Sequence, residues 1–320
     1  MQLLISGAEQ GNQGAVGVKA VLCIVDTETG ETLHETTYTP PPSITHPEQK
    51  IQFTGFSWIG PELFVCTHNH IVVYDQWPPE RPVRIISQPG FNDLHHCYPW
   101  QGHLAVSNTG LETVDLIDVE GKLLERWDLL PDAPGKRTID PSLDYRMIPD
   151  TKPHLRHGNH LFEFGGQLWT SQLRTSNAVC VSDLSQTLEM GVGMPHDGEI
   201  INDHLVFTTT NGHLVRFDLA EGRTSPAEPF NLTAMTPELD QLGWCRGVYG
   251  IPDRRNCYWV GFSALRRSKW KDFGFWIKHG HHMPRSRITR YDLTRQQSEV
   301  TWMIGSELPG LQIFQLGACP

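Results

Sequence analysis

Three short stretches carry side chains able to do chemistry. NDLHHCYPW holds His95 and His96. LRHGNHLFEF holds His157 and His160, with His154 just before it. GMPHDGEII sets His196 beside Asp197 and Glu199. Neutral imidazoles next to a carboxylate suit Fe, Zn, Mn or Cu, whereas Ca or Mg takes mainly oxygen. Two or three histidines with one carboxylate leave coordination positions open, as a catalytic metal requires. The spacing therefore predicts a transition metal ion held by some of His96, His157, His160, His196 and Asp197. Glu199 is the expected acid–base group or the partner that fixes an imidazole. Arg246 is expected to orient a ligand or to stabilise negative charge. These residues are far apart along the chain, so the fold has to bring them together.

The chain has 320 residues, 38% apolar and 19% charged, with 29 Gly and 23 Pro. Such a composition is globular and rich in turns. Helical periodicity is nearly absent. Short runs of Val, Ile, Leu, Thr and aromatic residues alternate with Gly, Pro, Asn and Asp, which reads as strands and turns. One phrase recurs, an apolar run that ends in Asp and enters a turn: AVLCIVD, HIVVYD, TVDLID, NAVCVSD, GHLVRFD and RITRYD, closing on Asp26, Asp75, Asp118, Asp183, Asp218 and Asp292. Asp suits that place because its carboxylate can bond the turn's own amides.

Around each aspartate the same order of four strands repeats. The third unit runs DLHHCYPW, HLAVSNTG, TVDLIDVEG, LLERWDL. Repetition at this period predicts one all-β domain, a six-bladed β-propeller. The expected blades are 1–40 plus 309–318, 51–88, 92–130, 155–193, 194–232 and 243–305, the last interrupted by an insertion at 266–287. The first unit is one strand short, and the unclaimed C-terminal run GLQIFQLG is expected to complete it and close the ring, hiding the edges an open sheet exposes.

Units such as HLAVSNTGLETVDLIDVEGKLLERWDL resemble the blades of NHL-type, arylsulfotransferase-like and gluconolactonase-like six-bladed propellers. The gluconolactonase resemblance implies a metal held by Glu and Asn/Asp on inner strands. Here the corresponding strand openings carry His, Arg, Thr and Gln, so that calcium-type site does not carry over. The arylsulfotransferase resemblance implies a catalytic His with Arg partners, which gives a second reading: metal-free transfer catalysis by His and Arg.

In a propeller the inner strands line the axis and all start at one face. Aligned by their following turns, they set His96, His160 and Asp197 at one level and His95, Asn159 and His196 at another, with Arg246 within a residue. Thr54 and Gln312 are the poorer counterparts. THNH places His68 and His70 in a rim turn, read as solvated. The insertion RRSKWKDFGFWIKHGHHMPRSR supplies Arg266, Arg267 and Trp270, expected with Gln312 to contact substrate; loops this long commonly act as lids or bind something. The connection between blades three and four, with Arg137, Asp140, Asp144, Tyr145 and Arg146, could form a second wall on the same face.

A net charge of −10 gives no reason to expect nucleic acid or an anionic membrane as partner. The N-terminus lacks a basic region before its short apolar run, and no apolar stretch approaches membrane length, so a cytoplasmic location is expected. Seven cysteines without a CxxC pair read as buried free thiols. No GxSxG elbow, phosphate-binding glycine loop or HExxH is present. The leading expectation is a metal-dependent enzyme acting on a small polar or anionic metabolite at the face where the inner strands begin. A non-catalytic, protein-binding scaffold is the third reading.

Overall fold

The short β-branched and aromatic runs form strands that pair antiparallel into six four-stranded sheets. The structure, a computed structural model, describes residues 1–10, 16–131, 138–219, 229–264, 284–305 and 310–320. Leu311–Ala318 pairs with Gln2–Gln10 and becomes the inner strand of the first blade. The other inner strands are Phe56–Ile59, Leu94–Trp100, Gly158–Phe164, Glu199–Ile201 and Trp244–Gly250. Among the described residues the only helical turns are short 3₁₀ segments. The protein is a six-bladed propeller closed by its C-terminal strand.

Apolar side chains of each blade face those of the next, which yields one buried cluster at each of the six blade–blade seams. Phe64 and Cys66 of blade two meet Leu94, Cys97 and Val106 of blade three. Phe162 and Trp169 of blade four meet Phe207 and Phe217 of blade five. The ring closes where Trp259 and Ile288 of blade six meet Leu3, Val21 and Ile313 of blade one. Six of the seven cysteines are buried thiols within this framework, and Cys319 is half-buried.

Among the described residues the recurring aspartates do what their chemistry predicts at four turns. Oδ1 of Asp26, Asp118, Asp183 and Asp292 accepts the amide of the residue two positions on, at 2.7, 3.0, 3.1 and 2.9 Å. The inner strands are less regular. Their pairing slips at Leu94/His96, at Gly158/Leu161 and at Cys245/Val248. Such a bulge bends the strand and re-aims its side chains, and these three flank the axis.

Ile313 sits at 0% exposure in the closing cluster. Ile313→Ala should therefore destabilise the whole ring by about 2–5 kcal/mol, the range for truncating a buried Ile. Denaturant unfolding followed by fluorescence would read this as one transition shifted as a unit. Selective loss of blade one alone would contradict closure as the source of stability.

Candidate active site

The bulges sort the axial side chains into two levels. At the face where the inner strands begin, Asp93 lies between two imidazoles: His68 Nδ1 is 3.3 Å and His95 Nε2 is 3.7 Å from its Oδ1. Burial alone would raise Asp93, yet its bonds to His68 and His95 and their charge hold it well below the usual carboxylate range. His95 lies edge-on to His157 at 4.9 Å and 6.0 Å from His196. His157 shares a 2.8 Å Nδ1–Nδ1 contact with His154. Arg246 lies over Trp244 and Phe314, 5.1 and 4.7 Å from their rings. Its charge, after burial, helps keep His196 neutral.

His157 reaches this level through a backbone device. The carboxylate of Glu112 accepts the amides of Leu155, Arg156 and His157 in succession, and His157 adopts a left-handed conformation with φ 60°. Strain of this kind persists only where surrounding bonds impose it. The turn Thr67–His70 is not solvated: His68 and His70 are 5% and 0% exposed. Tyr38 Oη bonds His70 Nε2 at 2.9 Å, and burial lowers His70 to about 3.

The second level lies deeper along the axis and opens at the opposite face. His96 and His160 stack, ring centroids 3.7 Å apart and 17° from parallel. His160 Nε2 is 3.1 Å from Glu199 Oε1, and Gln315 Nε2 approaches the same oxygen at 3.5 Å. Burial drives His160 down to about 3 and Glu199 up to about 7. One third of the Glu199 side chain, 33%, nevertheless stays open to a cavity of about 520 Å³. That volume is within the range of metabolite sites. Trp58, Tyr98, Phe162, Glu163, Asn202 and Tyr249 border it, all near the ends of inner strands. The cavity thus opens on the face opposite the one the sequence pointed to.

The expected metal set does not close around one ion. Leu161 N–H donates to His96 Nδ1 at 3.1 Å, so Nε2 carries the proton and donates to Phe56 O at 3.2 Å. Neither nitrogen of His96 is left for a metal. Asp197 accepts from Thr208 N, Thr208 Oγ1 and Gly247 N at 2.6, 2.6 and 2.9 Å; it ties blade five to blade six, and burial raises it to about 7. His160 turns to Glu199, while His157 and His196 belong to the other level. Among the described residues no group of three or more His, Cys, Asp or Glu is arranged to hold a metal ion.

Other expectations shift as well. Glu199 borders the cavity and Arg246 is not among its lining residues. Gln312 is buried beside Ala8, and Gln315, three residues on, borders the cavity instead. The second wall is an anchored strap: Asp144 and Arg146 pair with each other at 2.7 Å, and Asn92 and Gln49 bond its carbonyls. Arg266, Arg267, Trp270 and Arg137 lie outside the described residues. Sequence reasoning missed Asp93, Glu112 and Gln315. Asp93 stands in NDLHHC, one residue before the inner strand Leu94–Trp100, outside the repeated Asp-terminated runs.

No known protein family and no curated protein matches the sequence. Solved structures do match in fold. A chain of a nidogen/laminin complex shares 9% identity at a TM-score of 0.57, covering 98% of this chain and 97% of that one. A putative 6-phosphogluconolactonase from Bacteroides fragilis shares 12% at 0.55, covering 96% and 82%. A β-propeller domain from Myceliophteria thermophila shares 11% at 0.52, covering 96% and 90%. These similarities establish the propeller fold, which serves enzymes and scaffolds alike. No helix among the described residues is long and apolar enough to cross a membrane.

Six buried imidazoles, His70, His95, His96, His154, His160 and His196, and the half-buried His157 are held below their ordinary value of 6.5. The unfolded chain takes up protons on them below about 6.5 that the folded chain does not, so each adds a slope of about 1.4 kcal/mol per pH unit. Asp197 and Glu199, raised to about 7, act in the opposite sense between roughly pH 4 and 7, but they are two against seven. Stability should therefore fall as pH drops from about 6.5 towards 4.5. Urea midpoints that stay level on acidification would contradict a neutral-histidine interior.

Proposed function

We propose that the chain is an enzyme that moves a proton on a small polar metabolite bound in the 520 Å³ cavity, with Glu199 as the acid–base group and His160 as its positioning partner. The observation that carries this reading is a carboxyl poised at about 7 in an open cavity, 3.1 Å from a neutral imidazole. A perturbed titrating group in a cleft marks a functional site more often than chance. A group poised near working pH is also the most effective proton shuttle. His160 and Gln315 both address Oε1, and among the described residues Oε2 has no partner. Oε2 is therefore the oxygen that takes the substrate proton, while His160 holds the carboxyl in register and offers its N–H to the carboxylate form.

This reading needs no metal. The transition-metal reading survives only with a rearranged ligand set, and elemental analysis of the purified protein distinguishes the two. His/Arg transfer catalysis would need Arg246 in the same cavity as His160, and it lies at the other level. The scaffold reading rests on residues 266–287, most of which lie outside the described residues.

The test is a screen of wild type and Glu199→Gln against small-molecule lyase, isomerase and hydrolase substrates, with chelator-treated protein in parallel. Glu199→Gln should lower kcat/KM about 10²–10⁴-fold, the usual contribution of a general acid or base. The wild-type rate should turn near pH 7, and this inflection should vanish in the variant. An active Glu199→Gln enzyme would sink the proposal, and activity lost to chelator and restored by one metal would favour the metal reading.

A further inference from the structure

We propose that this cavity selects a cationic, ammonium-bearing metabolite. The inference rests on the cavity being the functional site, but not on the proton chemistry assigned to it. Among the described residues that border the cavity none is Lys or Arg, and two are carboxylates, Glu163 at the rim and Glu199 at the floor. Its two histidines, His96 and His160, are held neutral by burial, so among the described residues no bordering side chain offers a full positive charge to an anion. The fixed charge that a ligand meets is negative. The anionic metabolite expected from the sequence does not fit this cavity.

Aromatic side chains point the same way. Trp58, Tyr98 and Tyr249 border the cavity from blades two, three and six. Trp58 is held in place by its Nε1–H, which donates to Ala318 O at 3.3 Å, and by Trp77, 5.7 Å away. Tyr98 is bonded to the Glu163 backbone, and the Glu163 carboxylate is close enough to resist its ionisation. Aromatic faces attract an ammonium through the ring quadrupole, more strongly where water is excluded. Carboxylate and rings thus converge from separate blades on one open cavity. Arg246, the charged guanidinium near the axis, lies at the other level against Trp244 and Phe314.

The discriminating probes are choline, its uncharged isostere 3,3-dimethylbutan-1-ol, ethanolamine, glucose and butyrate, titrated calorimetrically into the full chain. Choline or ethanolamine should bind at millimolar concentration or tighter, at least about fivefold better than the uncharged isostere, as about 1–2 kcal/mol of cation–π and charge attraction implies. Glu163→Gln, an exposed substitution, and Trp58→Leu should each weaken that binding about tenfold while leaving the circular-dichroism spectrum unchanged. Equal binding of the isostere, preferential binding of glucose or butyrate, or no binding of either amine would overturn the proposal. The two readings fail separately. Amine binding to a chain whose Glu199 titrates as an ordinary carboxyl removes the acid–base role alone. A Glu199 titrating near 7 in a cavity that ignores amines removes the ligand assignment alone.

Discussion

Pairing of Leu3–Glu9 with Leu311–Ala318 is the contact on which the rest of this molecule depends. A propeller blade cannot bury its apolar faces alone; each face is covered only by a neighbour. Without that seam, blade one would lack its inner strand and blade six would lose the partner that covers Trp259 and Ile288. The axial residues sit on strands from all six blades, so their spacing is set by how tightly the ring is drawn together. Long-range pairing of the chain's two ends is a folding cost in loop entropy, offset by six interlocked apolar seams.

Within the ring, function follows from irregularity. A regular inner strand alternates its side chains between two sides. The bulges break that rule at Leu94/His96, Gly158/Leu161 and Cys245/Val248. Adjacent histidines 95 and 96 then serve different levels, one facing Asp93 and one stacked on His160. The upper level is an enclosed polar network around a buried carboxylate. The lower level is an open acidic, aromatic cavity. Partition of this sort lets one short axis hold two electrostatic environments of opposite character, with Arg246 near one and Glu199 in the other.

The architecture was legible because its signal is repeated: six Asp-terminated apolar runs and one strand left over define six blades and their closure. The convergence of histidines was legible too, since inner strands must meet. Their grouping was not. Alignment by turn placed Asp197 level with His96 and His160, whereas the structure gives that level to Glu199, because Asp197 is drawn aside by Thr208 and Gly247. Alignment also paired Asn159 with His95, whereas the Glu112-held turn brings in His157 instead. Both errors share one physical origin. A one-residue slip inside a strand leaves no trace in hydrophobic pattern, yet it redirects every polar side chain near it. The strap at 138–153 is anchored by Asn92 and Gln49, and that anchoring has no sequence signature.

His96 repays a closer look for another reason. From blade three, its ring donates a hydrogen bond to the backbone of blade two and accepts one from the backbone of blade four. It is a tie rod across three blades that happens to form the floor of a cavity. Substitutions there will register as lost function in any mutational scan, because the cavity wall itself shifts when the tie is cut. Position and chemistry together would label it a catalytic histidine, whereas its bonding makes it masonry. In ring-shaped folds, then, a histidine at the axis is identified as a reagent only once both of its nitrogens have been accounted for.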